Sequence, residues 1–371
     1  MIKMMLKNTD WAILIITIAL FVFGIIGIYS AGYNTESNQN EYIKQLIWLG
    51  ISMVVVAAIY FMDSKFFEII GYVVYVIGII LLVMVLFTTK VMGASSWFNI
   101  GDTVFVQPSE IMKIGYILCL SKVLSKYKGG NLSRKELILK WVKIGLLFLL
   151  PVTLILLQPD FGTAVTFLII TAFMLFISGI KYRYVLLIIF AILLIIPLIY
   201  NFMLNDTQKE RIKVFLNPEL DPLGSGYNAI QSKLAVGSGM LFGSGILNGT
   251  QTQYGYLPIK SSDFIFAVIS EEMGFVASCA IIVLFMLLVI RILKVYSSSN
   301  ELYHKYISVG IAGMIFYHFI QNIGMTFGAL PITGVPLPFV SYGGSNLLTN
   351  YIGIAIILNI TARKEKNFLF K

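Results

Sequence analysis

Long apolar runs recur along almost the whole chain, and they constrain its fold more than any other feature. A membrane-spanning helix needs about 20 mostly apolar residues, and ten stretches of about that length occur. They lie at residues 11–31, 43–61, 66–88, 107–124, 137–157, 161–179, 184–203, 264–293, 306–327 and 338–360. Only 12% of the 371 residues are charged, against roughly 25% in an average soluble domain. The sequence therefore predicts an all-α polytopic membrane protein and excludes a soluble globular one.

The fourth of these runs is the least apolar, so a count of nine or eleven spans stays open beside ten. It contains Gln107, Glu110, Lys113 and Lys122. We predict about ten transmembrane helices in a single domain that covers residues 1–371. The largest hydrophilic segment, residues 204–262, is then an extracytoplasmic loop between helices 7 and 8.

Basic residues gather at one face of the predicted membrane. With ten spans, the clusters that flank the helices all fall on the same side. They comprise Lys3, Lys7, Lys65, Lys126, Lys128, Arg134, Lys135, Lys181, Arg183, Arg291, Lys294, Arg363, Lys364 and Lys366. The positive-inside rule makes that side cytoplasmic, and an even number of spans places both termini there. Because these residues are scattered along loop edges, the net charge of +9 indicates topology and not a nucleic-acid partner.

Three loops enlarge the opposite, outer face, at residues 89–106, 204–262 and 328–340. Loops of the length of 204–262 inside a compact domain are usually functional, so we place the chemistry on this face. The third loop belongs to a segment rich in proline and glycine, residues 328–345. Irregular backbone at membrane depth is tolerated only where it is buried in protein or lines a wet cavity. We predict that this segment shapes a site, and Ser341 within it is a candidate substrate contact.

Charged side chains inside a span cost about 2.5 kcal/mol or more at the bilayer centre, so each one is a candidate for function. Glu110 and Lys113 lie three residues apart and share a helix face. Two interpretations stay open for them: an internal ion pair that neutralises both, or a pair that lines a polar cavity. Asp160 follows Pro159 between two spans, and we expect it to cap the next helix whatever else it does.

Further acids and bases mark the outer end of the eighth span. Asp263 lies at its entry, where a helix cap alone would explain an aspartate and a catalytic acid is the alternative. Glu271 and Glu272 follow two turns later, and packing does not explain adjacent glutamates in an apolar run. We predict that at least one faces the interior and pairs with a cation. Arg211 and Lys233, in the long loop, are candidates to hold an anion, since the planar guanidinium fork suits phosphate oxygens.

Other polar features are interpreted as structural. The glycine-rich segment, residues 237–245, has no strand before it and no Gly-Lys-Ser/Thr after it. It is therefore predicted to be a re-entrant or interfacial segment instead of a phosphate-binding loop. His304 is interpreted as an interfacial residue and His318 as a packing residue. No Cys/His cluster has the spacing of a zinc site, so no bound metal is predicted from ligand spacing.

A set of short motifs occurs in order between about residues 93 and 346. They are Gln107-Pro108-Ser109-Glu110 with Lys113, Gln158-Pro159-Asp160-Phe161-Gly162-Thr163-Ala164, Asn217-Pro218, Gly226-Tyr227 with Gln231-Ser232, Asp263-Phe264-Ile265-Phe266 with Glu271-Glu272 and Gly274, and the run at 331–345. Together they resemble the SEDS family, the shape, elongation, division and sporulation proteins. The stretch at 249–253, Gly-Thr-Gln-Thr-Gln, is more similar to the RodA elongation branch than to the FtsW division branch.

The resemblance implies a ten-span enzyme of the bacterial cytoplasmic membrane that polymerises lipid II into peptidoglycan strands during cell elongation. Lipid II is a disaccharide-peptide linked to undecaprenyl pyrophosphate. The family's essential outer-face aspartate matches Asp263. Its cavity charges and outer-loop tryptophan match Glu110, Lys113, Asp160, Arg211 and Trp97. The implied partners are membrane lipids and a class B penicillin-binding protein, which cross-links the new strands.

Two motifs depart from the family's pattern. The family's Pro-Glu-x-His-Thr-Asp reads Pro258-Ile259-Lys260-Ser261-Ser262-Asp263 here, without the glutamate and the histidine. Its Gly-Ala-x-Arg-Trp reads Gly93-Ala94-Ser95-Ser96-Trp97, without the arginine. The acid is retained while its surroundings differ, which fits either a specialised paralogue or one with reduced activity.

The implied reaction is one direct displacement that inverts the anomeric centre. A carboxylate at Asp263 would take the proton of the acceptor 4-hydroxyl, a contribution of about 10²–10⁴-fold. Arg211 and Lys113 are candidates to stabilise the leaving pyrophosphate. No cofactor is predicted with certainty; a divalent cation, Mg²⁺ or Mn²⁺, is a candidate to share that role, although no carboxylate cage marks a site. Two other functions stay open: a flippase of lipid-linked precursor, and a non-catalytic scaffold for the penicillin-binding protein.

Overall fold

The computed structural model describes residues 2–35, 39–88, 96–100, 104–127, 133–179, 209, 215–221 and 224–363, and this part of the chain is mostly helical. The long helices are α2 (Trp11–Gly32), α3 (Glu41–Phe61), α4 (Phe66–Val85), α5 (Pro108–Lys126), α6 (Arg134–Leu157), α7 (Phe161–Ile177), α10 (Ile265–Ser298), α11 (Leu302–Thr326) and α12 (Gly344–Ala362). The short elements are α1 (Ile2–Asn8), an antiparallel hairpin of β1 (Phe98–Ile100) and β2 (Val104–Val106), a 3-10 helix (Pro218–Leu220), α8 (Ser225–Ser238) and α9 (Thr250–Gln253).

The long helices coincide with nine of the ten predicted spans. Seven of them are long and apolar enough to cross a membrane. The other two are α7, which has 17 residues, and the more polar α5. The seventh predicted span, residues 184–203, lies outside the described residues. The protein is therefore a polytopic all-α membrane protein, as predicted.

Helix α5 is polar because it lies at the centre of the bundle. Fifteen of its 19 residues are buried, and it packs against α4, α6, α11 and α12. Small residues allow close helix approach in membranes, and Gly115 does so here. A Cβ atom on Gly115 would lie 2.7 Å from the backbone nitrogen of Tyr75 in α4. By contrast, α3 and α4 turn most of their apolar side chains outward.

Helix α10 is broken at Gly274, where φ is 75°. The glycine-rich segment 237–245 lies against the break and replaces helical hydrogen bonds that are lost there. The Phe275 amide donates to the Met240 carbonyl oxygen at 2.8 Å, and an amide of the segment donates to the Glu271 carbonyl oxygen at 2.9 Å. The glycine-rich segment is thus a backbone partner for a broken helix, which is how non-helical backbone is tolerated near a membrane.

The described part of the long loop 204–262 is folded onto the bundle. Helix α8 packs on α10 and α11. The Ser232 hydroxyl is fully buried and donates to the Thr326 carbonyl oxygen at 3.1 Å, at the end of α11. This contact places α8 beside the start of the Pro- and Gly-rich segment 328–345.

Candidate functional site

Asp263 lies on the turn that precedes α10. Phe264 occupies the N-cap position of that helix, so the capping interpretation of Asp263 is wrong. Its carbonyl oxygen accepts from Asn322 Nδ2 at 2.9 Å, while its half-buried carboxylate lies close to Gly334, where a Cβ atom would be 3.4 Å from Oδ2. Burial raises the pKa of the carboxyl from 3.8 to about 6, and a hydrogen bond with Ser262 opposes the rise. This pKa lies near the range in which a carboxylate acts as a general base.

The Pro- and Gly-rich segment holds this turn in place. Ser341 Oγ donates to the Ser262 carbonyl oxygen at 2.6 Å and accepts from the Leu337 amide at 2.8 Å. The Tyr342 amide donates to the Ser261 carbonyl oxygen at 2.9 Å. Ser341 is fully buried, so its hydroxyl is engaged by the backbone on both sides. A role as a substrate contact stays a prediction.

Residues 333–335 run between Asp263 and the start of α7. A Cβ atom on Gly162 would lie 2.7 Å from Val335 Cγ2 and 2.8 Å from the Thr333 carbonyl oxygen. Gly334, between these two residues, approaches Asp263 from the other side. The segment therefore joins the Asp263 turn to the end of α7 that carries Asp160.

Asp160 caps α7, which confirms the predicted role. Its Oδ1 accepts from the Thr163 amide at 3.1 Å, and its Oδ2 accepts from the Thr163 hydroxyl at 2.8 Å. Gln107 Nε2 also donates to Oδ2, at 3.0 Å. Burial raises the pKa of Asp160, while the bonds from Thr163 and Gln107 and the charge of Lys113 oppose the rise.

Glu110 and Lys113 form a buried ion pair with N–O distance 2.8 Å, and their side chains are 3% and 1% exposed. His318 on α11 joins them, with its Nε2 3.2 Å from Lys113 Nζ and 3.4 Å from Thr166 Oγ1. Among the described residues, Glu110 Oε2 and His318 Nδ1 have no hydrogen-bond partner. The ion-pair interpretation is confirmed, and the polar-cavity interpretation stays a prediction. Sequence reasoning missed the polar role of His318, whose one signal was a histidine inside an apolar span.

Glu271 and Glu272 both face the interior, with exposures of 1% and 3%. Glu271 accepts from the Gln251 amide at 2.7 Å, the Thr252 amide at 3.0 Å and the Thr252 hydroxyl at 2.7 Å. Glu272 accepts from the Ser30 hydroxyl at 2.6 Å. Within the part of the chain that the structure describes, neither glutamate forms an ion pair. Amides and hydroxyls take the place of a direct ion pair, because the hydrogen bonds that they donate stabilise the carboxylate charge; Lys260 acts on Glu272 only through its charge.

Two of the three remaining candidates, Lys233 and Trp97, lie among the described residues. Lys233 is exposed on α8, and its aliphatic end packs against Gly328, at the start of the Pro- and Gly-rich segment. Trp97 is partly buried immediately before β1. Arg211 lies outside the described residues. The substrate contacts assigned to these three side chains stay predictions.

Two polar side chains that sequence reasoning did not single out complete the surroundings of the turn. Gln45 on α3 is fully buried and binds the backbone at both Ser341 and Gly343. The Lys260 ammonium is buried and donates to the Thr252 carbonyl oxygen at 2.9 Å. Burial lowers the pKa of Lys260, and the charges of Glu272 and Glu41 oppose that effect. Polar residues in an otherwise apolar span were the only sequence signal for Gln45.

Among the described residues, no group of three or more His, Cys, Asp or Glu side chains converges as a metal site requires. We therefore assign none of these residues to a divalent cation.

Comparison with known proteins identifies the family. The family model for the FtsW, RodA and SpoVE cell cycle proteins matches residues 10–366. The peptidoglycan glycosyltransferase MrdB of Escherichia coli is 36% identical over 96% of this chain and 95% of its own. The peptidoglycan glycosyltransferase RodA of Treponema pallidum is 34% identical over 96% of this chain and 98% of its own.

Solved structures agree with these sequence relatives. A chain of a peptidoglycan synthase complex, described as coordinating polymerization and crosslinking, superposes with a TM-score of 0.82 at 28% identity and covers 97% of this chain and 99% of that chain. Thermus thermophilus RodA, a rod shape determining protein, gives 0.71 at 25% identity and covers 97% of this chain and 98% of that chain. This protein therefore belongs to the SEDS family of FtsW, RodA and SpoVE, and its relatives include proteins of the RodA type.

Proposed function

We propose that this protein is a peptidoglycan glycosyltransferase that polymerises lipid II by an inverting displacement. The observation that carries the proposal is the Asp263 carboxylate, half-buried on a turn that is tied to α11 and to the Pro- and Gly-rich segment. Relatives more than 30% identical over nearly the whole chain are named peptidoglycan glycosyltransferases. Family likeness and a positioned acid thus support the same activity.

Asp263 acts in this reaction as the general base. The acceptor sugar hydroxyl is a weak nucleophile, and a carboxylate within hydrogen-bond reach takes its proton as the new glycosidic bond forms. With a pKa of about 6, Asp263 is mostly ionised at neutral pH and still basic enough to accept a proton. The departures at Ile259–Ser262 alter the turn around the acid and leave the acid itself unchanged.

Cationic groups on the same face stabilise the leaving pyrophosphate. Lys233 is the exposed candidate among the described residues, and Arg211 is a second candidate from sequence. Lys113 is buried in its ion pair with Glu110. Its positive charge acts on the neighbouring Asp160 carboxylate, and contact with the pyrophosphate requires the ion pair to open. A divalent cation, Mg²⁺ or Mn²⁺, remains an alternative source of positive charge.

The orientation in the bacterial cytoplasmic membrane is part of the proposal, with both termini inside and the Asp263 face outside. The Lys and Arg residues that flank the predicted spans support it, because they fall on the side that the positive-inside rule assigns to the cytoplasm. A class B penicillin-binding protein is the proposed partner, since a similar chain occurs in a complex that coordinates polymerization and crosslinking.

The test is polymerisation of lipid II by the purified protein, with and without its penicillin-binding protein and with and without Mg²⁺ or Mn²⁺. We expect strands from the native chain and none from the isosteric variant Asp263→Asn. Asp63→Asn, an exposed aspartate at a predicted cytoplasmic helix end, is the matched control and keeps native activity. Full activity in Asp263→Asn removes this residue from the mechanism. No product from the native chain under all conditions favours the flippase or scaffold function, which vesicle translocation assays separate.

A further inference from the structure

One face of helix α3 is polar and turned towards the Asp263 turn, although most of the helix is apolar and faces outward. Glu41, Gln45 and Trp48 lie at positions i, i+4 and i+7, the spacing of one helix face. Ser52 continues that face and is fully buried, as is Gln45. Gln45 has hydrogen-bond partners inside the protein, as a polar side chain on a membrane helix requires, whereas the Ser52 hydroxyl has none among the described residues.

Gln45 uses both ends of its side-chain amide. Its Nε2 donates to the Ser341 carbonyl oxygen at 3.0 Å, and its Oε1 accepts from the Gly343 amide at 3.2 Å. Trp48, on the same face, packs against Gly344. Segment 341–343 has no regular secondary structure, so its buried backbone depends on side chains such as Gln45 for hydrogen bonds.

Ser341 extends this connection to the acid. Its hydroxyl donates to the carbonyl oxygen of Ser262, the residue before Asp263, and also fixes the Leu337 amide. Two hydrogen-bonded steps therefore link Gln45 on α3 to the residue adjoining the proposed general base. Each step is a direct contact; the bond from Gln45 to Ser341 is buried and the bond from Ser341 to Ser262 is partly buried, and hydrogen bonds are strengthened where the local dielectric is low.

Glu41 contacts the same turn one residue earlier. Its carboxylate interacts with the Ser261 side chain and with the charges of Lys44 and Lys260, while its Oε2 has no hydrogen-bond partner among the described residues. Lys260 is held in turn by its bond to the Thr252 carbonyl oxygen. Helix α3 thus reaches the turn by two routes, directly through Glu41 and through Ser341 from Gln45.

We propose that the polar face of α3, Glu41 and Gln45, positions the Asp263 carboxylate for glycosyl transfer, and that Gln45 acts through Ser341. Gln45 is a positioning residue, since its recorded contacts are with the backbone of segment 341–343 and not with the acid. The inference rests on the proposed function. Positioning of this kind matters because a displacement of about 1 Å at a reacting group costs on the order of 100-fold in rate.

The first test is Gln45→Met, which nearly preserves side-chain length and removes both hydrogen bonds. We expect the initial rate of strand formation at saturating lipid II to fall about tenfold or more, while the KM for lipid II changes by less than about twofold. Ser52→Ala, a buried polar truncation on the same helix face, is the matched control and retains the native rate. Tm in detergent is measured for every variant.

A double-mutant cycle distinguishes positioning from a general structural role. If Gln45 acts through Ser341, Gln45→Met combined with Ser341→Ala is no slower than the slower single variant, because one pathway is broken twice. Gln45→Met combined with Ser52→Ala keeps the rate of Gln45→Met alone. The proposal is overturned if the rate loss of the Gln45→Met, Ser341→Ala double variant equals the product of the two single-variant losses. It is also overturned if Gln45→Met polymerises lipid II at the native rate.

A replacement variant and a comparison with the native chain complete the experiment. Where Gln45→Met does not fold, Gln45→Glu replaces it in the same cycle, since it keeps the acceptor for Gly343 and loses the donor to Ser341. The native chain in the same assay separates the two proposals. Absence of product from the native chain overturns the proposed function, whereas native-rate synthesis by the Gln45 variants overturns the inference alone.

Discussion

Three carboxylates lie within ten residues around the start of α10, and the protein uses them differently. Glu271 and Glu272 are almost fully buried and accept hydrogen bonds from amides and hydroxyls of α9 and α2. Asp263 is half-buried, with Ser262 as the hydrogen-bond partner that acts on its pKa. A carboxylate whose oxygens accept several hydrogen bonds is interpreted as structural, whereas a partly buried carboxylate with a raised pKa is a candidate for chemistry.

The largest expected effect separates activity from stability at Asp263. Asp263→Asn lowers polymerisation by at least about 100-fold because the general base is lost. Its Tm in detergent is unchanged or higher at pH 7, because burial disfavours the ionised carboxylate and the amide carries no charge. Rate and Tm measured on one preparation check this, and a lower Tm would show that Asp263 also supports the fold.

Glu271→Ala is expected to show the opposite pattern. It leaves the Gln251 and Thr252 amides without their carboxylate acceptor, which lowers the free energy of unfolding by about 2–3 kcal/mol. The loss appears as a lower Tm and less folded protein in membranes. Glu219→Ala, an exposed glutamate on the 3-10 helix, serves as the control. A native Tm with strongly reduced catalysis would instead move Glu271 into the chemistry.

The pH dependence of the reaction sharpens the assignment of the base. A general base must be deprotonated, so with an Asp263 pKa of about 6 kcat/KM falls about tenfold per pH unit below pH 6 and is level above it. Initial rates between pH 4.5 and 8 measure this fall on the acid side. If kcat/KM instead falls only near pH 4, burial does not raise the pKa of this carboxyl.

The smallest expected effect is that of Glu272→Gln. The amide oxygen still accepts from Ser30, so the free energy of unfolding changes by about 1 kcal/mol or less and polymerisation stays within about threefold of native. Glu272→Leu, which removes the acceptor, is the comparison variant. If Glu272→Gln lowers the polymerisation rate as much as Asp263→Asn does, Glu272 is not a purely structural acid and the distinction from Asp263 fails.

Sequence reasoning was most accurate where a property is local. The apolar runs predicted nine described helices, because a span needs only length and hydrophobicity. The cap at Asp160 and the ion pair of Glu110 with Lys113 followed from spacing along one helix or turn. Of the two interpretations left open for Asp263, the helix cap was wrong, because the helix begins one residue later than a cap there requires.

By itself, then, the sequence determined the membrane class, the approximate helix bounds, the family motifs and the local partners within one turn. Only the tertiary structure decided that Glu271 bonds to α9 and that Gln45 reaches Ser341, almost 300 residues away in the chain. It also decided that the glycine-rich segment supports the break at Gly274. The physical reason is that these hydrogen bonds join groups distant in sequence, and helix periodicity carries no information on which buried polar groups meet after packing.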